Sequence, residues 1–341
     1  MVTPDKTGEK RDPPGVSVSW FAWRGVDKPL AGLRPYLPGD WLATVSLFRR
    51  GSSALDELHR RDPPDHVLAM WAVPAGALAV GLKRRHGVSV TTWCLGSDIW
   101  TLGRYPILRG WVRRVLRASN LVFADGLQLA AEAQRIAGRP CEFMASGRRL
   151  DRALDQRLSP PEPGVRFLFI GRYARVKGVD VLLEAMAEFS RRQPSGHLYV
   201  FGGGPLEAQV RARAERPDLR GRVSIGGYAD EAATVSWLAA CDCVVIPSRM
   251  ESIPVIFSDA LQMGRPLIAS DVGDMGALLR AQPAGLVVPP DDPSALFAAM
   301  LQLAGEDRSR YAPRIHELAA RFDMTKVADE WIRRVQSAPS R

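Results

Sequence analysis

The 341-residue sequence predicts an α/β fold of two Rossmann-like, doubly wound domains, on three observations. Short apolar runs alternate with helically spaced apolar segments throughout the second half, with brief connections. The same alternation recurs less regularly in the first half. Between the halves lies Ser159-Pro160-Pro161-Glu162-Pro163-Gly164, whose three prolines and one glycine suit a linker. Strands that alternate with helices are joined by crossovers, which makes the sheets parallel and covers both faces.

In the second half, the expected strands are Arg166–Ile170, Leu198–Phe201, Val223–Ile225, Cys243–Ile246, Leu267–Ser270 and Ala284–Val288. The expected helices are Val179–Ser190, Glu207–Glu215, Ala232–Ala240, Val255–Met263, Met275–Leu279 and Pro293–Leu303, followed by a terminal helix over Met324–Val335. Val181, Leu182, Ala185, Met186 and Phe189 illustrate the helical spacing. In the first half, Val16–Ala22, Trp41–Phe48, Val67–Trp71, Val88–Trp93 and Leu121–Ala124 read as strands, and Gly76–Arg85 and Leu108–Arg117 as helices. This gives four expected segments: a polar disordered tail over 1–15, domains over 16–160 and 161–320, and a terminal helical segment over 321–341.

Hydrophobic residues make up 46% of the chain and charged residues 24%, enough apolar material for two cores in a soluble protein. Val67–Leu82 is broken by Pro74, Gly76 and Gly81, so it falls short of the roughly 18 apolar residues of a membrane span. The first fifteen residues lack the apolar stretch of a signal peptide. Cys94, Cys141, Cys241 and Cys243 show neither disulfide nor metal spacing, which suits a reducing cytoplasm. Residues 1–160 hold 24 Lys+Arg and 15 Asp+Glu, and residues 161–341 hold 22 of each, so the whole net charge of +9 sits in the first half. Arg49-Arg50, Lys83-Arg84-Arg85, Arg113-Arg114 and Arg148-Arg149 are among its basic clusters. They suit either an ordinary solvated surface or one that meets anionic lipid or a diphosphate-bearing acceptor. No nucleic-acid-binding motif accompanies them.

Ligands of doubly wound sheets bind beyond the carboxyl ends of the strands. After Ile170 comes Gly171-Arg172-Tyr173-Ala174-Arg175-Val176-Lys177-Gly178, three cations ahead of a helix start. Free amides and the helix dipole favour phosphate there, and Arg172 and Lys177 supply full charges. A polar loop with incidental cations explains the run equally well. After Ile246 comes Pro247-Ser248-Arg249-Met250-Glu251-Ser252-Ile253-Pro254, with Pro254 suited to the first turn of the next helix. Asp259 follows Glu251 by eight positions, a spacing that lets both carboxylates face one side. Taken singly, Glu251 also reads as a capping acid and Asp259 as a surface residue. Gly202-Gly203-Gly204-Pro205 lacks the G-x-G-x-x-G spacing and reads as a tight turn, which disfavours a dehydrogenase.

The runs GRYARVKGVDVLLEAM, VFGGGPL and SRMESIPVIFSDALQMGRPLIASDVGDM resemble the group 1 (family 4) retaining glycosyltransferases, over about Phe167 to Leu303. Weaker similarity extends to Trp71–Gly76 and to Leu95-Gly96-Ser97-Asp98-Ile99. The resemblance implies the GT-B fold, two domains facing across a cleft, with the terminal helix crossing back to the first. It implies donor diphosphate on Arg172 and Lys177, donor sugar on Glu251, and ribose hydroxyls on Asp259. It further implies donor contacts at Gly171, Gly203, Gly204, Ser252, Ile253 and Val255, with the base near Gly226-Gly227-Tyr228. Gly25, Gly96 and Asp98 are the acceptor-side candidates, Asp98 equally as a capping or turn residue and Gly25 equally as a plain turn.

Three positions depart from the family: Asp259 stands where Glu is usual, Pro254 removes an amide, and Leu95 replaces a common histidine. His59, His66, His86, His197 and His316 match no motif and read as surface residues. The implied reaction is metal-independent transfer of a hexose-type sugar, with retention, from a nucleotide-diphosphate sugar. The acceptor would be lipid-linked or a cell-envelope glycan, and a donor phosphate oxygen would help deprotonate it. No cofactor beyond the donor is implied, and the protein is expected in the cytoplasm or peripherally at the inner membrane face. Two other readings are a non-catalytic GT-B scaffold that binds a partner, which the retained Arg172, Lys177 and Glu251 argue against, and a nucleotide-sugar epimerase.

Overall fold

The computed structural model describes residues 1–5, 12, 15–26, 37–193 and 195–338. They form two compact units. One comprises Met1–Ala124, Leu129–Phe143 and the chain from Trp331 onward; the other comprises Asp125–Gln128 and Met144–Glu330. The division thus falls at Phe143/Met144, ahead of the proline-rich segment in which the sequence places a linker. The reason is that residues 144–158 are tied down: the Leu150 amide donates to Gln262 (3.3 Å) and the Gln156 amide to Ser236 (2.9 Å).

The first unit opens with β1 (Val2–Pro4), paired in parallel with β2 (Ser19–Phe21). The expectation of a disordered tail is therefore corrected at Val2–Pro4, while residues 6–11, 13 and 14 lie outside the described residues. A second correction concerns Trp41–Phe48, which belongs to helix α1 (Pro38–Arg61) and not to a strand. Its buried residues Asp40, Ala43, Leu47 and Gly51 recur every three or four positions. Pro38 in the first turn and His59, Arg60 and Arg61 in the last are the usual helix-end signals.

Strands β3 (His66–Met70), β4 (Ser89–Cys94), β5 (Leu121–Ala124) and β6 (Glu142–Phe143) then form a parallel sheet in sequential order. Helices α2 (Ala77–His86), α3 (Ser97–Trp100), α4 (Pro106–Ala118) and α5 (Leu127–Ala137) join them. The main core of this unit includes Cys94, Ile99, Val112, Leu116, Val122, Leu129 and Ala133. Helix α1 meets α4 through the rings of Phe48 and Trp111, 5.2 Å apart. At the chain's end, the Trp331 ring lies 5.7 Å from that of His66, and Arg334 pairs with Glu142 at 2.8 Å.

The second unit is a six-stranded, all-parallel sheet. Its strands are β7 (Val165–Ile170), β8 (Gly196–Phe201), β9 (Val223–Ile225), β10 (Cys243–Ile246), β11 (Leu267–Ser270) and β12 (Gly285–Val288). Its spatial order is β12-β11-β10-β7-β8-β9. The crossovers carry α6 (Val179–Arg192), α7 (Glu207–Ala214), α8 (Glu231–Ala240), α9 (Val255–Gln262) and α10 (Met275–Ala281). Helices α11 (Pro293–Gly305), α12 (Ala312–Ala319) and α13 (Met324–Ser337) follow. The strands are apolar on both faces, as two-sided burial requires. Phe167 and Phe189 pack edge to face at 5.3 Å between β7 and α6. Among the described residues, no helix is long and apolar enough to cross a membrane.

Candidate functional site

The strand order of the second unit reverses between β7 and its neighbour β10, so the crossovers from these two strands depart in opposite directions. The crevice beyond such a reversal is where open α/β sheets bind ligands. The segments that leave it are Gly171–Gly178 and Pro247–Pro254, the two singled out from the sequence.

The two loops are built against each other. Gly178 has φ +67°, and a Cβ there would lie 1.9 Å from the Pro247 carbonyl oxygen, so only glycine allows the approach. The Arg249 guanidinium bonds Asp180 (2.8 and 2.9 Å), Asp291 (2.9 and 2.6 Å) and the Arg175 carbonyl (2.6 Å). Arg249 therefore ties the loops together. Tyr173, fully buried, donates its hydroxyl to the Val200 carbonyl at 3.1 Å, and its amide bonds the Gly203 carbonyl at 2.9 Å. On the far side of the second loop, Gly273 lies so close that a Cβ would come within 2.3 Å of the Glu251 carbonyl oxygen.

A cavity of about 340 Å³ opens at this point. Gly171, Arg172 and Lys177 line it from the first loop, and Ser248, Glu251 and Pro254 from the second. Val255, Ile256 and Asp259 of α9, Tyr228 after β9, Thr234 of α8 and Arg148 complete the wall. Lys177 and Glu251 form a hydrogen-bonded ion pair. Arg172 is exposed and has no ion-pair partner among the described residues. Helix α9 starts at the cavity with no side-chain cap, and Pro254 occupies the N-cap and not the first turn as the sequence suggested. An uncapped helix start beside two cations has the chemistry to receive an anion. Two larger cavities, of about 970 and 570 Å³, lie elsewhere in the same unit, and the second of them shares only Arg249 with the two loops.

Asp259 points from α9 toward the cavity but is only 1% exposed. Its Oδ2 accepts from Arg148 Nη2 (2.7 Å) and Nε (3.1 Å). The Gln262 side-chain amide donates to the Arg148 carbonyl at 2.8 Å. The hydrogen bonds that Arg148 donates to Asp259 raise the Arg148 pKa further, keeping it a cation. From the sequence, Arg148 is simply part of a basic cluster, since nothing local links it to a carboxylate 111 positions away.

Gly203, Gly204, Ser252 and Ile253 are not among the residues that line the cavity. Gly203 and Gly204 abut the first loop instead: at Gly204, φ +146°, a Cβ would lie 2.8 Å from the Tyr173 carbonyl oxygen. Ser252 and Ile253 are each 7% exposed, and the Ser252 hydroxyl donates to Asp125 at 3.3 Å. Gly25 packs against the ring of Trp23, two residues before it, since a Cβ would meet that ring at 2.3 Å. Gly96, φ +111°, precedes α3. The Asp98 carboxylate is buried and accepts from the Ala72 (2.7 Å) and Leu95 (3.2 Å) amides, so it fastens two loops of the first unit.

His197 corrects the reading of the histidines as surface residues: it is 3% exposed on β8 and bonds Ser224 at 2.9 Å. All four cysteines are buried free thiols, and burial pushes Cys141 and Cys241 up to about 12. Among the described residues, no cluster of His, Cys, Asp and Glu is arranged to hold a metal.

Residues 164–306 match the family model described as Glycosyl transferases group 1. The chain is 31% identical over 166 residues to alpha-D-kanosaminyltransferase of Streptomyces kanamyceticus, covering 48% of this chain and 43% of the relative. It is 30% identical over 177 residues to phosphatidyl-myo-inositol mannosyltransferase of Mycolicibacterium smegmatis, covering 51% and 45%. These alignments therefore span less than half the length of each relative. Among solved structures, HepE of Anabaena in complex with UDP and glucose superimposes with a TM-score of 0.70 at 17% identity, over 94% of this chain and 86% of that one. That likeness shows the fold, the GT-B pairing of two Rossmann-like domains.

Proposed function

We propose, for a chain that belongs through residues 164–306 to the group 1 (family 4) glycosyltransferases and has the GT-B fold, the transfer of a hexose-type sugar from a nucleotide-diphosphate sugar to an acceptor hydroxyl. The observation that carries this reading is the cavity at the strand reversal. There Lys177, Arg172 and the uncapped start of α9 converge beside the Glu251 carboxylate.

Each group has a task. The cations stabilise charge that develops on the diphosphate as the anomeric C–O bond breaks. Glu251 accepts hydrogen bonds from sugar hydroxyls. It also pairs with Lys177, a cation within reach of the diphosphate. The acceptor oxygen bonds to the anomeric carbon on the face the diphosphate leaves, which retains configuration. Its proton passes to a donor phosphate oxygen, so neither a side-chain base nor a metal ion is required. Asp259, with Arg148 on it, lines the same wall.

For the acceptor, we favour an anionic, lipid-linked or cell-envelope glycan met at the inner face of the membrane by a cytoplasmic protein. The excess of nine positive charges in residues 1–160 supports this. So does helix α4, which exposes Ile107 (88%), Arg113, Arg114 and Arg117. The name of the mycobacterial relative, a phosphatidyl-myo-inositol mannosyltransferase, points the same way.

A thermal-shift series with UDP, GDP, ADP and their sugar conjugates, with and without EDTA, tests the donor site. The expected result is stabilisation by one nucleotide family, unchanged by EDTA and lost in Lys177→Ala. Absence of any shift across the series would remove the donor reading.

A further inference from the structure

We propose that Arg148 contacts the donor directly and that Asp259 acts as the positioning residue that holds it there. The inference rests on the nucleotide-sugar reading above and assigns a ligand contact to a residue outside the two post-strand loops.

Relative exposure decides which member of the pair meets a ligand. The Asp259 side chain is 1% exposed and that of Arg148 is 40% exposed, yet both line the cavity. Oδ2 of the carboxylate is taken by both Nε and Nη2 of Arg148, and Oδ1, which Nε approaches only to 3.4 Å, is shut away by burial. The third guanidinium nitrogen, Nη1, has no hydrogen-bond partner among the described residues. A two-point clamp of this kind fixes the plane of a guanidinium and therefore aims its remaining N–H groups.

The backbone is fixed as well. Gln262, one turn beyond Asp259 on α9, donates to the Arg148 carbonyl at 2.8 Å and accepts from the Leu150 amide at 3.3 Å. Arg148 is thus anchored at both ends to α9, the helix whose start opens on the same cavity. Charge balance agrees. Glu251 neutralises Lys177 and Asp259 neutralises Arg148, so a bound diphosphate finds the surplus charge of Arg172 and two further cations whose partners are protein carboxylates. The matching ligand group at Arg148 is an acceptor: a phosphate oxygen, ring oxygen or base carbonyl of a nucleoside diphosphate sugar.

The test is calorimetric titration of the full chain with UDP, GDP and ADP, using wild type, Arg148→Ala, Arg148→Lys, Asp259→Asn and the double variant Arg148→Ala/Asp259→Asn. Arg148→Ala should raise the Kd of the preferred nucleotide roughly tenfold, the scale of one charge-assisted hydrogen bond. It should also flatten the salt dependence of binding, which loss of a merely structural residue would not do. Arg148→Lys retains the charge without the fork and should fall between, which guards against a folding defect in the alanine variant. Asp259→Asn should weaken binding even though it removes a negative charge from an anion site, and the double variant should bind no worse than Arg148→Ala. Unchanged or tighter binding in Arg148→Ala, or additive losses in the double variant, would overturn the inference and leave the donor reading intact. If the wild type binds none of the three nucleotides, both fall.

Discussion

Lys177 and Glu251 form an ion pair across the strand reversal, one side chain from the loop after β7 and the other from the loop after β10. Both remain partly exposed to the cavity, at 29% and 18%. The cation that would meet a diphosphate is thus held by the acid that would meet the sugar. Removing each partner should have opposite consequences for the bare nucleotide. Lys177→Ala should lower sugar transfer by a factor of about 10²–10³, as for other groups that stabilise transition-state charge. Glu251→Gln should bind UDP or its equivalent at least as tightly as wild type, since an acid is removed beside an anion, while binding the sugar conjugate more weakly. Titration of the two variants with nucleotide and nucleotide sugar checks both. Near-normal turnover in Lys177→Ala would end its assignment.

Gly178 lets the two loops touch, so alanine there should damage both stability and site. The residue has φ +67°, and the added Cβ would meet the Pro247 carbonyl oxygen at 1.9 Å. The left-handed conformation alone costs about 1–3 kcal/mol, and relief of the clash must part the loops. Gly178→Ala should therefore melt earlier and bind nucleotide more weakly. Gly110, inside α4 with open space around it, is the matched control. Gly110→Ala should raise stability by about 0.4–1 kcal/mol. Differential scanning calorimetry of the two variants reads both signs.

The contrast between these glycines also shows what the sequence could reveal. The site loops were legible because apolar strands end abruptly, at Ile170 before Gly171 and at Ile246 before Pro247, and the residues that follow are chemically loaded. Trp41–Phe48 misled because Trp41 (56% exposed) and Leu42 (50%) put apolar weight on the outer face of α1, which blurs the helical period. Arg148 was out of reach for another reason. Its partner Asp259 is distant in sequence, and the segment that carries it falls within the expected first domain until α8 and α9 are seen to hold it in the second unit. Asp98 carried a polar signal that either role could produce, and its two amide donors come from separate loops.

Asp242, just before β10, should make stability depend on pH in the acid range. Burial opposes its ionisation, but hydrogen bonds from the Arg166 side chain (2.9 Å) and amide (2.9 Å) outweigh this and hold its pKa below the ordinary 3.8. A carboxyl with a lowered folded pKa contributes stability in full above its unfolded pKa of about 3.9 and loses it as pH falls through the folded value. Asp242→Asn should therefore cost about 2 kcal/mol near neutrality, and the gap to wild type should close below about pH 4. Melting temperatures of both proteins between neutrality and acid test this, and a gap independent of pH would show that the pair contributes through packing alone.

Helix α4 supplies the prediction for the acceptor side. Val112, Val115 and Leu116 face the core, while Ile107, Gly110, Arg113, Arg114 and Arg117 share the opposite, exposed face. No acidic residue pairs with Arg113, Arg114 or Arg117 among the described residues. Tyr105, just before the helix, is 60% exposed, so aromatic and aliphatic groups sit at one end of a basic stripe. Each basic residue near an anionic bilayer contributes about 1 kcal/mol. Arg113→Glu/Arg114→Glu should therefore weaken binding to phosphatidylglycerol-rich vesicles by more than about thirtyfold, while nucleotide binding stays unchanged because the donor cavity lies in the other unit. The screening length falls from about 10 Å at 0.1 M salt to 3 Å at 1 M, so wild-type binding should fall steeply over that range. Vesicle sedimentation of wild type and the double variant, at low and high salt, reads the outcome. Binding that ignores both salt and charge reversal would mean that the stripe is only a solvated helix face, and would take the lipid-linked acceptor with it.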